Sequence, residues 1–292
     1  MTYSVTLIVN PEQGPLDVAL VDSLRNAWGG GDINWLSVDE SADFDIPARS
    51  DTEGQAWRDL QTTGVDMVVQ PTIGRRKSML IADMDSTMIR QECIDELAAE
   101  AGVGDKVAKI TARAMNGELD FEAAIIERVG LLADLDLAVI DQVLNTRISY
   151  MSGGYALVQT MKANGGYAAL VSGGFTAFTA RVAGALGFDE HRANTLIVDG
   201  DKLSGDVGRP ILGQNAKLES LHQITAKLGI TPQDALAVGD GMNDLLMLEA
   251  AGTGVALHGK PALQAKCEAK INYADLSALL FIQGYRRDEF VT

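Results

Sequence analysis

Three observations predict a two-domain α/β protein, in which a parallel sheet with helices on both faces follows a smaller α+β domain. The chain has 292 residues, a length that suggests two domains. Its first part follows the order strand, helix, strand, strand, helix, strand. From Tyr150 onward strands and helices alternate, and such alternation indicates a parallel sheet covered on both faces. A long helical stretch between the two regions predicts a cap inserted into the second domain.

The first domain is predicted to span residues 1–74 and to have a ferredoxin-like α+β fold, which its order of elements indicates. Alternating or apolar segments predict strands, and apolar residues at helical spacing predict helices. The strands are expected at 4–9, 33–38, 44–46 and 65–70, and the helices at 16–28 and 52–63. Three glycines at 29–31 end the first helix, and residues 71–77 form the linker.

The second domain is predicted to span residues 78–292, with a helical cap at about 90–150. A short apolar run at 79–82 that ends in acidic residues is typical of a buried parallel strand. Further strands are expected at 168–171, 234–238 and 254–257, helices at 155–164, 175–186, 214–228 and 243–250, and a hairpin at 194–207. Ligands bind beyond the carboxyl ends of the strands in such sheets, so the cap would lie above that edge.

Charge and composition exclude several classes of partner. The net charge is −16, which would repel nucleic acid, and the densest basic run, at 75–77, is better interpreted as a solvated linker than as a nuclear signal. No apolar run approaches the ~20 residues of a membrane span, and the N-terminal residues predict a strand instead of a signal peptide. Two distant cysteines, Cys93 and Cys267, argue against a disulfide framework. We therefore expect a cytoplasmic protein.

The first chemical motif is Asp83-Met84-Asp85-Ser86-Thr87, directly after the first predicted strand of the second domain. Two carboxylates two positions apart are costly in an apolar setting unless a cation neutralises them. A loop of this kind can place both around one hard metal ion that prefers oxygen ligands. A polar turn is the alternative interpretation.

Two further elements suit a phosphate group. Ser172, Gly173 and Gly174 follow a predicted strand and precede a helix, where a hydroxyl and free backbone N–H groups can bind an anion. Lys217 lies in the first turn of a predicted helix, where the helix dipole disfavours a cation, and such a local misfit is expected where a side chain serves a ligand. The alternatives are a tight turn and an isolated surface lysine.

The fourth motif is the segment GDGMND at 239–244, between a predicted strand and a helix. Asp240 is well placed to be a metal ligand, and Asn243 and Asp244 can orient the lysine and the phosphate region. An N-capped helix start is the alternative. All four motifs lie at predicted strand ends or helix starts, so together they favour one functional site over four coincidences.

In this order, the motifs resemble those of the haloacid dehalogenase superfamily of phosphatases, and within it the phosphoserine phosphatases. The similarity extends from residue 78 to about 290 and includes cap segments at 90–98 (RQECIDELA), 114–117 (AMNG), 120–123 (DFEA) and 127–129 (ERV). It implies a Rossmann-like parallel sheet with an inserted helical cap. The N-terminal domain is similar to ACT-type regulatory domains, which bind amino acids, although no motif indicates an effector site.

The resemblance also implies a role for each matched residue. Asp83 would be the nucleophile and Asp85 the general acid and base. Asp83, the backbone carbonyl of Asp85, and Asp240 would hold Mg²⁺. The substrate would contact Glu92, Met115, Phe121, Arg128, Ser172, Gly173, Lys217 and Asn243, with Asp244 in support.

The implied reaction is Mg²⁺-dependent hydrolysis of O-phospho-L-serine through a phospho-aspartyl intermediate, the last step of serine biosynthesis. Glu92 would face the ammonium of the substrate and Arg128 its carboxylate, which a guanidinium fork can bind with two hydrogen bonds. A phosphotransferase, or a phosphatase for another small phosphomonoester, would keep the four motifs and differ in these cap residues. A homodimer formed through the N-terminal domain is a further expectation, and plain structural support by that domain is its alternative.

Overall fold

The computed structural model describes residues 1–115 and 118–292, except for the side chain of Met115. The N-terminal region forms a four-stranded antiparallel sheet packed against two helices. Its elements are β1 (Tyr3–Val9), α1 (Val18–Ala27), β2 (Asn34–Ser37), β3 (Ser41–Ile46), α2 (Glu53–Gln61) and β4 (Val65–Pro71). The strand order β2-β3-β1-β4 matches the predicted ferredoxin-like fold. A separate apolar cluster, with Val5, Leu7 and Phe44 at its centre, holds sheet and helices together.

The second region contains a six-stranded parallel sheet in the order β12-β11-β10-β5-β6-β7. These strands are β5 (Met79–Ala82), β6 (Tyr167–Phe175), β7 (Glu190–Asn194), β10 (Ala235–Gly239), β11 (Thr253–Leu257) and β12 (Ala269–Ile271). Strand β5 is fully buried and lies between β10 and β6. Its carboxyl end is therefore at the centre of the sheet edge. The predicted fold class is confirmed.

Helices cover both faces of the parallel sheet, as its buried apolar strands require. They are α7 (Gly154–Ala163), α8 (Thr176–Leu186), α9 (Gln214–Leu228), α10 (Leu245–Ala250), α11 (Pro261–Gln264) and α12 (Ala278–Ile282). One apolar cluster, around Leu80, Leu170 and Val238, lies on one face of the sheet. A second, around Ile81, Leu221 and Met247, lies on the other. A hairpin of β8 (Leu196–Asp199) and β9 (Lys202–Val207) forms where the sequence predicted one.

The predicted cap is helical, and in sequence it lies between the end of β5 and the start of α7. It consists of α3 (Cys93–Glu100), α4 (Gly104–Met115), α5 (Phe121–Gly130) and α6 (Ala138–Thr146). Asp120 caps α5, since its Oδ1 accepts a hydrogen bond from the N–H of Ala123 at 2.7 Å. The buried side chains of α5, among them Ile125 and Val129, belong to the same apolar cluster as the parallel sheet. The cap and the sheet therefore share a core.

The sequence does not predict two strands of the parallel sheet, because their hydrophobic pattern is weak. Strand β7 (EHRAN) is polar and lies at the sheet edge, and β12 has three residues, so neither shows the apolar periodicity of a strand. Strand β6 is longer than predicted and runs through Ser172 to Phe175, after which α8 begins. Among the described residues, none of the helices combines the length and apolar character needed to cross a bilayer.

Candidate active site

Four motifs distant in sequence meet at the carboxyl edge of the parallel sheet. Asp83 directly follows β5, Ser172 lies near the end of β6, and Asp240 directly follows β10. Lys217 reaches the same point from the first turn of α9. The N–H of Asp83 donates to the carbonyl oxygen of Val238 at 3.0 Å, so the two acidic loops are held side by side. The structure thus brings together the residues on which the predicted site depends.

A buried lysine joins two of the carboxylates. Lys217 Nζ lies 2.8 Å from Asp83 Oδ1 and 2.6 Å from Asp244 Oδ1, and its side chain has no exposed surface. Burial alone would lower the pKa of Lys217, but the Asp244 and Asp83 carboxylates outweigh burial and raise it. Asp244 Oδ2 also accepts a hydrogen bond from the N–H of Gly241 at 3.2 Å. Lys217 is therefore a fixed positive charge beside Asp83.

The carboxylates of Asp83, Asp240 and Asp244 form a buried acidic cluster. One oxygen from each lies within 4.8 Å of the others. Burial raises the pKa of Asp240, and the negative charge of Asp83 acts in the same direction, although Lys260 and Lys217 oppose both. Carboxylate oxygens are the ligands that Mg²⁺ prefers, so the donor set fits this ion.

The Asp85 side chain forms its hydrogen bonds outside that cluster. Its Oδ1 accepts a hydrogen bond from the N–H of Cys93 at 2.9 Å, and its Oδ2 accepts one from Ser172 Oγ at 3.3 Å. Burial, together with the charges of Glu92 and Asp83, raises the pKa of Asp85 to about 7. A carboxyl group with such a pKa can both give and take a proton near neutral pH.

The segment around Ser172 is arranged by its neighbours. Ser172 Oγ accepts a hydrogen bond from the N–H of Gly174 at 2.8 Å. Asn194 Nδ2 donates to the carbonyl oxygen of Gly173 at 2.8 Å, and Asn194 Oδ1 accepts from the N–H of Leu212 at 2.6 Å. Asn194 therefore ties the Ser172 segment to the loop that leads into α9 and Lys217.

Phe121 of the cap lies over the predicted phosphate-binding segment. A methyl group built at Gly173 would be 3.0 Å from Phe121 Cζ, and one built at Gly213 would be 3.1 Å from its Cδ1. Larger residues at either position would push the aromatic ring away. The two glycines therefore allow Phe121 to pack directly against the Ser172 segment and the loop before α9.

Two charged residues of the cap region also face the site. Ser86 Oγ donates to Glu92 Oε1 at 2.9 Å, and burial raises the pKa of Glu92. Arg128 is partly buried on α5, where burial lowers its pKa against the charges of Asp95, Glu92 and Asp85. Within the described part of the chain Arg128 makes no ion pair closer than 4 Å, and its Nε donates to the carbonyl oxygen of Ala124 at 3.3 Å.

Asn243 and Met115 complete the set of predicted residues. Asn243 is partly buried beside Gly241, in the middle of a three-residue 3-10 helix that precedes α10. Met115 is the last residue of α4, and its side chain lies outside the described residues.

Sequence reasoning did not single out Lys260 or Asn194. Lys260 Nζ lies 3.1 Å from Asp240 Oδ2 and 3.8 Å from Glu92 Oε1. Lys260 follows the end of β11, so the rule that pointed to the other strand ends could have found it. Asn194 ends β7, a strand that the sequence pattern did not predict, and its burial is the signal that only the structure supplies.

Comparison with known proteins gives consistent results. Residues 80–249 match the model of the haloacid dehalogenase-like hydrolase family. A phosphoserine phosphatase from Archaeoglobus fulgidus is 38% identical over 246 residues, which cover 84% of this chain and 71% of the relative. Another, from Streptomyces coelicolor, is 42% identical over 229 residues, which cover 77% of this chain and 55% of the relative.

Two solved structures extend the similarity to the fold. A haloacid dehalogenase family hydrolase from Salmonella enterica serovar Typhi is 30% identical, with a TM-score of 0.86 over 96% of this chain and 98% of its own. A phospho-aspartyl intermediate analogue of phosphoserine phosphatase is 40% identical, with a TM-score of 0.66 over 70% of this chain and 98% of its own. The first of these structures spans both sheets.

Proposed function

The chain belongs to the haloacid dehalogenase-like hydrolase family, and from this membership we propose that it hydrolyses O-phospho-L-serine to L-serine and phosphate. One observation carries the proposal. A nucleophilic carboxylate, a buried lysine and a carboxyl group with a pKa near neutrality meet beneath a cap that presents Glu92 and Arg128. Such a site can stabilise a transferring phosphoryl group and read a zwitterionic amino acid.

In the first step, the Asp83 carboxylate attacks phosphorus. In the described part of the chain the contacts of Asp83, from Lys217 and from the N–H of Met84 at 2.7 Å, fall on Oδ1, which leaves Oδ2 for the attack. The bond between phosphorus and the serine oxygen breaks, and protonated Asp85 gives its proton to that oxygen. The products are free serine and an acyl phosphate on Asp83.

In the second step, Asp85 is ionised and takes a proton from water. The oxygen of that water attacks phosphorus, and the bond from phosphorus to Asp83 breaks. Phosphate leaves, the Asp83 carboxylate is restored, and Asp85 is protonated for the next cycle. One residue can serve both steps because a pKa of about 7 keeps both of its protonation states accessible.

Lys217, Ser172 and Gly173 hold the phosphoryl group, and Asn243 and Asp244 support them. Lys217 keeps its charge, despite its burial, because two carboxylates contact it. We further propose that Asp83, Asp240 and the backbone carbonyl of Asp85 bind Mg²⁺. When bound, this ion neutralises phosphoryl oxygens and thereby weakens their repulsion of the incoming carboxylate. The buried acidic cluster supports Asp83 and Asp240 as ligands.

The cap residues supply substrate selection. Glu92 binds the ammonium group and Arg128 the carboxylate of phosphoserine, while Phe121 closes the pocket. The partly buried guanidinium of Arg128, with no ion pair among the described residues, supports a role in binding an anion that comes from outside the chain.

The decisive experiment measures phosphate release from L-phosphoserine, phosphothreonine, phosphoethanolamine and a sugar phosphate, with Mg²⁺ and with EDTA. We expect L-phosphoserine to have the highest kcat/KM and EDTA to abolish turnover. Arg128→Lys should lower kcat/KM for phosphoserine by about 10–100-fold, because lysine cannot replace a two-point contact, and should change it little for phosphoethanolamine, which lacks the carboxylate. If another of these phosphomonoesters has a higher kcat/KM than L-phosphoserine, the assignment of phosphoserine as the substrate is wrong.

Two further aspects belong to the same proposal. The two cysteines are unpaired, which supports a reducing compartment such as the cytoplasm.

Strand β2 has one neighbour in the described structure, β3, and we propose that its free edge pairs two copies of the chain. Sedimentation of the wild type and of a variant with proline at Trp35 tests the dimer, which proline should dissociate if this edge is the interface.

A further inference from the structure

The loop after β11 carries a cation to which the proposed mechanism gives no role. Lys260 Nζ bridges Asp240, at 3.1 Å, and Glu92, at 3.8 Å. The backbone N–H of Lys260 also donates to the carbonyl oxygen of Asp240 at 2.8 Å. Its side chain is 54% exposed, whereas that of Lys217 is 0% exposed. Lys260 is therefore a solvent-accessible cation, in contact with one carboxylate proposed to bind metal and one proposed to bind substrate.

The backbone that carries Lys260 is held from the neighbouring strand. His258 has a φ of +45°, in the left-handed region that favours glycine. Its N–H donates to the carbonyl oxygen of Ile271 at 2.7 Å, and its ring Nε2 lies 2.8 Å from the carbonyl oxygen of Ala274. Because a carbonyl oxygen can only accept, Nε2 carries the proton in this contact. The segment 271–274 thus fixes an otherwise unfavoured turn.

The same segment is bound by the N-terminal sheet. Asp66 of β4 is fully buried, and its carboxylate accepts hydrogen bonds from the N–H groups of Asn272, Tyr273 and Ala274 at 2.8, 3.0 and 2.9 Å. Gln61 at the end of α2 adds two contacts, since its Oε1 accepts from Asn272 Nδ2 at 2.6 Å and its carbonyl oxygen from Tyr273 Oη at 2.5 Å. Ala274 is therefore shared between the N-terminal region and His258.

We propose that the N-terminal sheet holds Lys260 in place through Asp66, residues 272–274 and His258, and that Lys260 sets the balance between cation and anion binding at the site. This inference rests on the proposed function. A positive charge in contact with Asp240 competes with a divalent metal for that carboxylate and at the same time attracts a phosphate dianion. Removal of Lys260 should therefore strengthen metal binding and weaken anion binding, whereas general damage would weaken both.

The first test compares Lys260→Met with the wild type. We expect Mn²⁺, followed by electron paramagnetic resonance in place of Mg²⁺, to bind about 3–10-fold more tightly to the variant, and inorganic phosphate to inhibit it about 3–10-fold less strongly at saturating Mg²⁺. Lys266→Met is the matched control, because it removes the same charge from an exposed position six residues further along. The proposed role of Lys260 is wrong if Lys266→Met changes the Mn²⁺ and phosphate affinities as much as Lys260→Met does. It is also wrong if Lys260→Met strengthens both affinities or weakens both.

The second test is a double-mutant cycle that combines Asp66→Asn with Lys260→Met. Asparagine keeps one acceptor oxygen but cannot satisfy three N–H groups. We expect Asp66→Asn alone to tighten Mn²⁺ binding by about 2–3-fold, and to have no effect on it in the Lys260→Met background. Gln70→Met is the control on the same face of β4. It removes a 2.5 Å bond from Gln70 Nε2 to the carbonyl oxygen of Ile282, and should leave the Mn²⁺ affinity unchanged.

Equal effects of Asp66→Asn in both backgrounds would overturn the coupling. If Asp66→Asn does not fold, His258→Gly replaces it, because glycine tolerates the positive φ and lacks the ring that contacts Ala274. It should give the same tightening, again only when Lys260 is present. Turnover of L-phosphoserine by the wild type shows which proposal has failed. If the wild type does not hydrolyse L-phosphoserine, the proposed function is wrong. If it does, and the effects of Asp66→Asn and Lys260→Met on Mn²⁺ affinity are additive, only the coupling is wrong.

Discussion

Buried carboxylates occur in two regions of this molecule, and the chain neutralises them in different ways. Between the N-terminal sheet and the loop after β12, the Asp66 carboxylate accepts hydrogen bonds from three backbone N–H groups, which oppose the rise in its pKa that burial causes. At the sheet edge, Asp83, Asp240 and Asp244 crowd together and depend on lysines. The first arrangement is complete within the chain, but the second keeps an excess of negative charge. That excess of negative charge indicates a site for cation binding and catalysis.

The largest expected effect comes from Asp83→Asn. The amide is a poor nucleophile, so turnover of phosphoserine should fall at least ~10⁴-fold, in line with the loss of other covalent nucleophiles. The fold should persist, because Lys217 retains its 2.6 Å contact with Asp244 and one buried negative charge is gone. Phosphate release and thermal unfolding measure the two properties. Turnover above one hundredth of the wild-type rate would remove Asp83 from the mechanism.

Asp240→Asn should have the next largest effect, because it removes a proposed metal ligand whose direct ion pair, among the described residues, is with exposed Lys260. We expect turnover at limiting Mg²⁺ to fall by about 10²–10³-fold and to recover in part as Mg²⁺ is raised. In the wild type, Mg²⁺ at 100 times its Kd should add about 2.7 kcal/mol to the free energy of unfolding. Thermal unfolding with Mg²⁺ and with EDTA checks this. Equal unfolding temperatures in the two conditions would exclude a metal at the cluster.

Gly174→Ala tests whether the sheet edge tolerates any displacement of Asp85. A methyl group at Gly174 would collide with Asp85 Oδ2 and approach Ser172 Oγ to 3.1 Å. Because small displacements of reacting groups are costly, we expect kcat to fall by about 10–100-fold. Gly184→Ala is the matched control in α8, where a methyl group meets nothing within 4 Å. It should leave kcat unchanged and stabilise the helix by about 0.5–1 kcal/mol.

Sequence reasoning found the site at the sheet edge but not the contact between Asp66 and the loop after β12, for a physical reason. Asp83, Ser172 and Asp240 lie next to apolar strands, and parallel strands bring their carboxyl ends to one edge whatever the length of chain between them. Asp66 lies within a predicted strand, yet the N–H groups that it binds are 206 to 208 residues away in a loop after β12, a strand of three residues. No local sequence pattern predicts these hydrogen bonds.

The same distinction explains the two lysines. Lys217 conflicted with the dipole at its own helix start, and this conflict made it visible in the sequence. Lys260 also directly precedes a helix, but α11 has only four residues and lies outside the helices that the sequence predicts, so no comparable conflict was visible. Its contacts with Asp240 and Glu92 depend on a turn at His258 that tertiary hydrogen bonds maintain. Residues that break a local rule can be predicted from sequence, whereas those placed by distant contacts need coordinates.

The smallest effect on turnover is expected for Asp66→Ala, which should instead have a large effect on stability. Three buried N–H groups would lose a charged acceptor, so the free energy of unfolding should fall by about 2–4 kcal/mol. At saturating Mg²⁺ and phosphoserine, kcat should change less than about threefold, because the Lys217 contacts at the sheet edge remain. Asp59→Ala, at an exposed position of α2, is the control and should alter stability by less than about 0.5 kcal/mol. A loss of kcat comparable with that of Asp240→Asn would show that the two groups of carboxylates are not separate, and that the contact between Asp66 and the loop after β12 takes part in the chemistry itself.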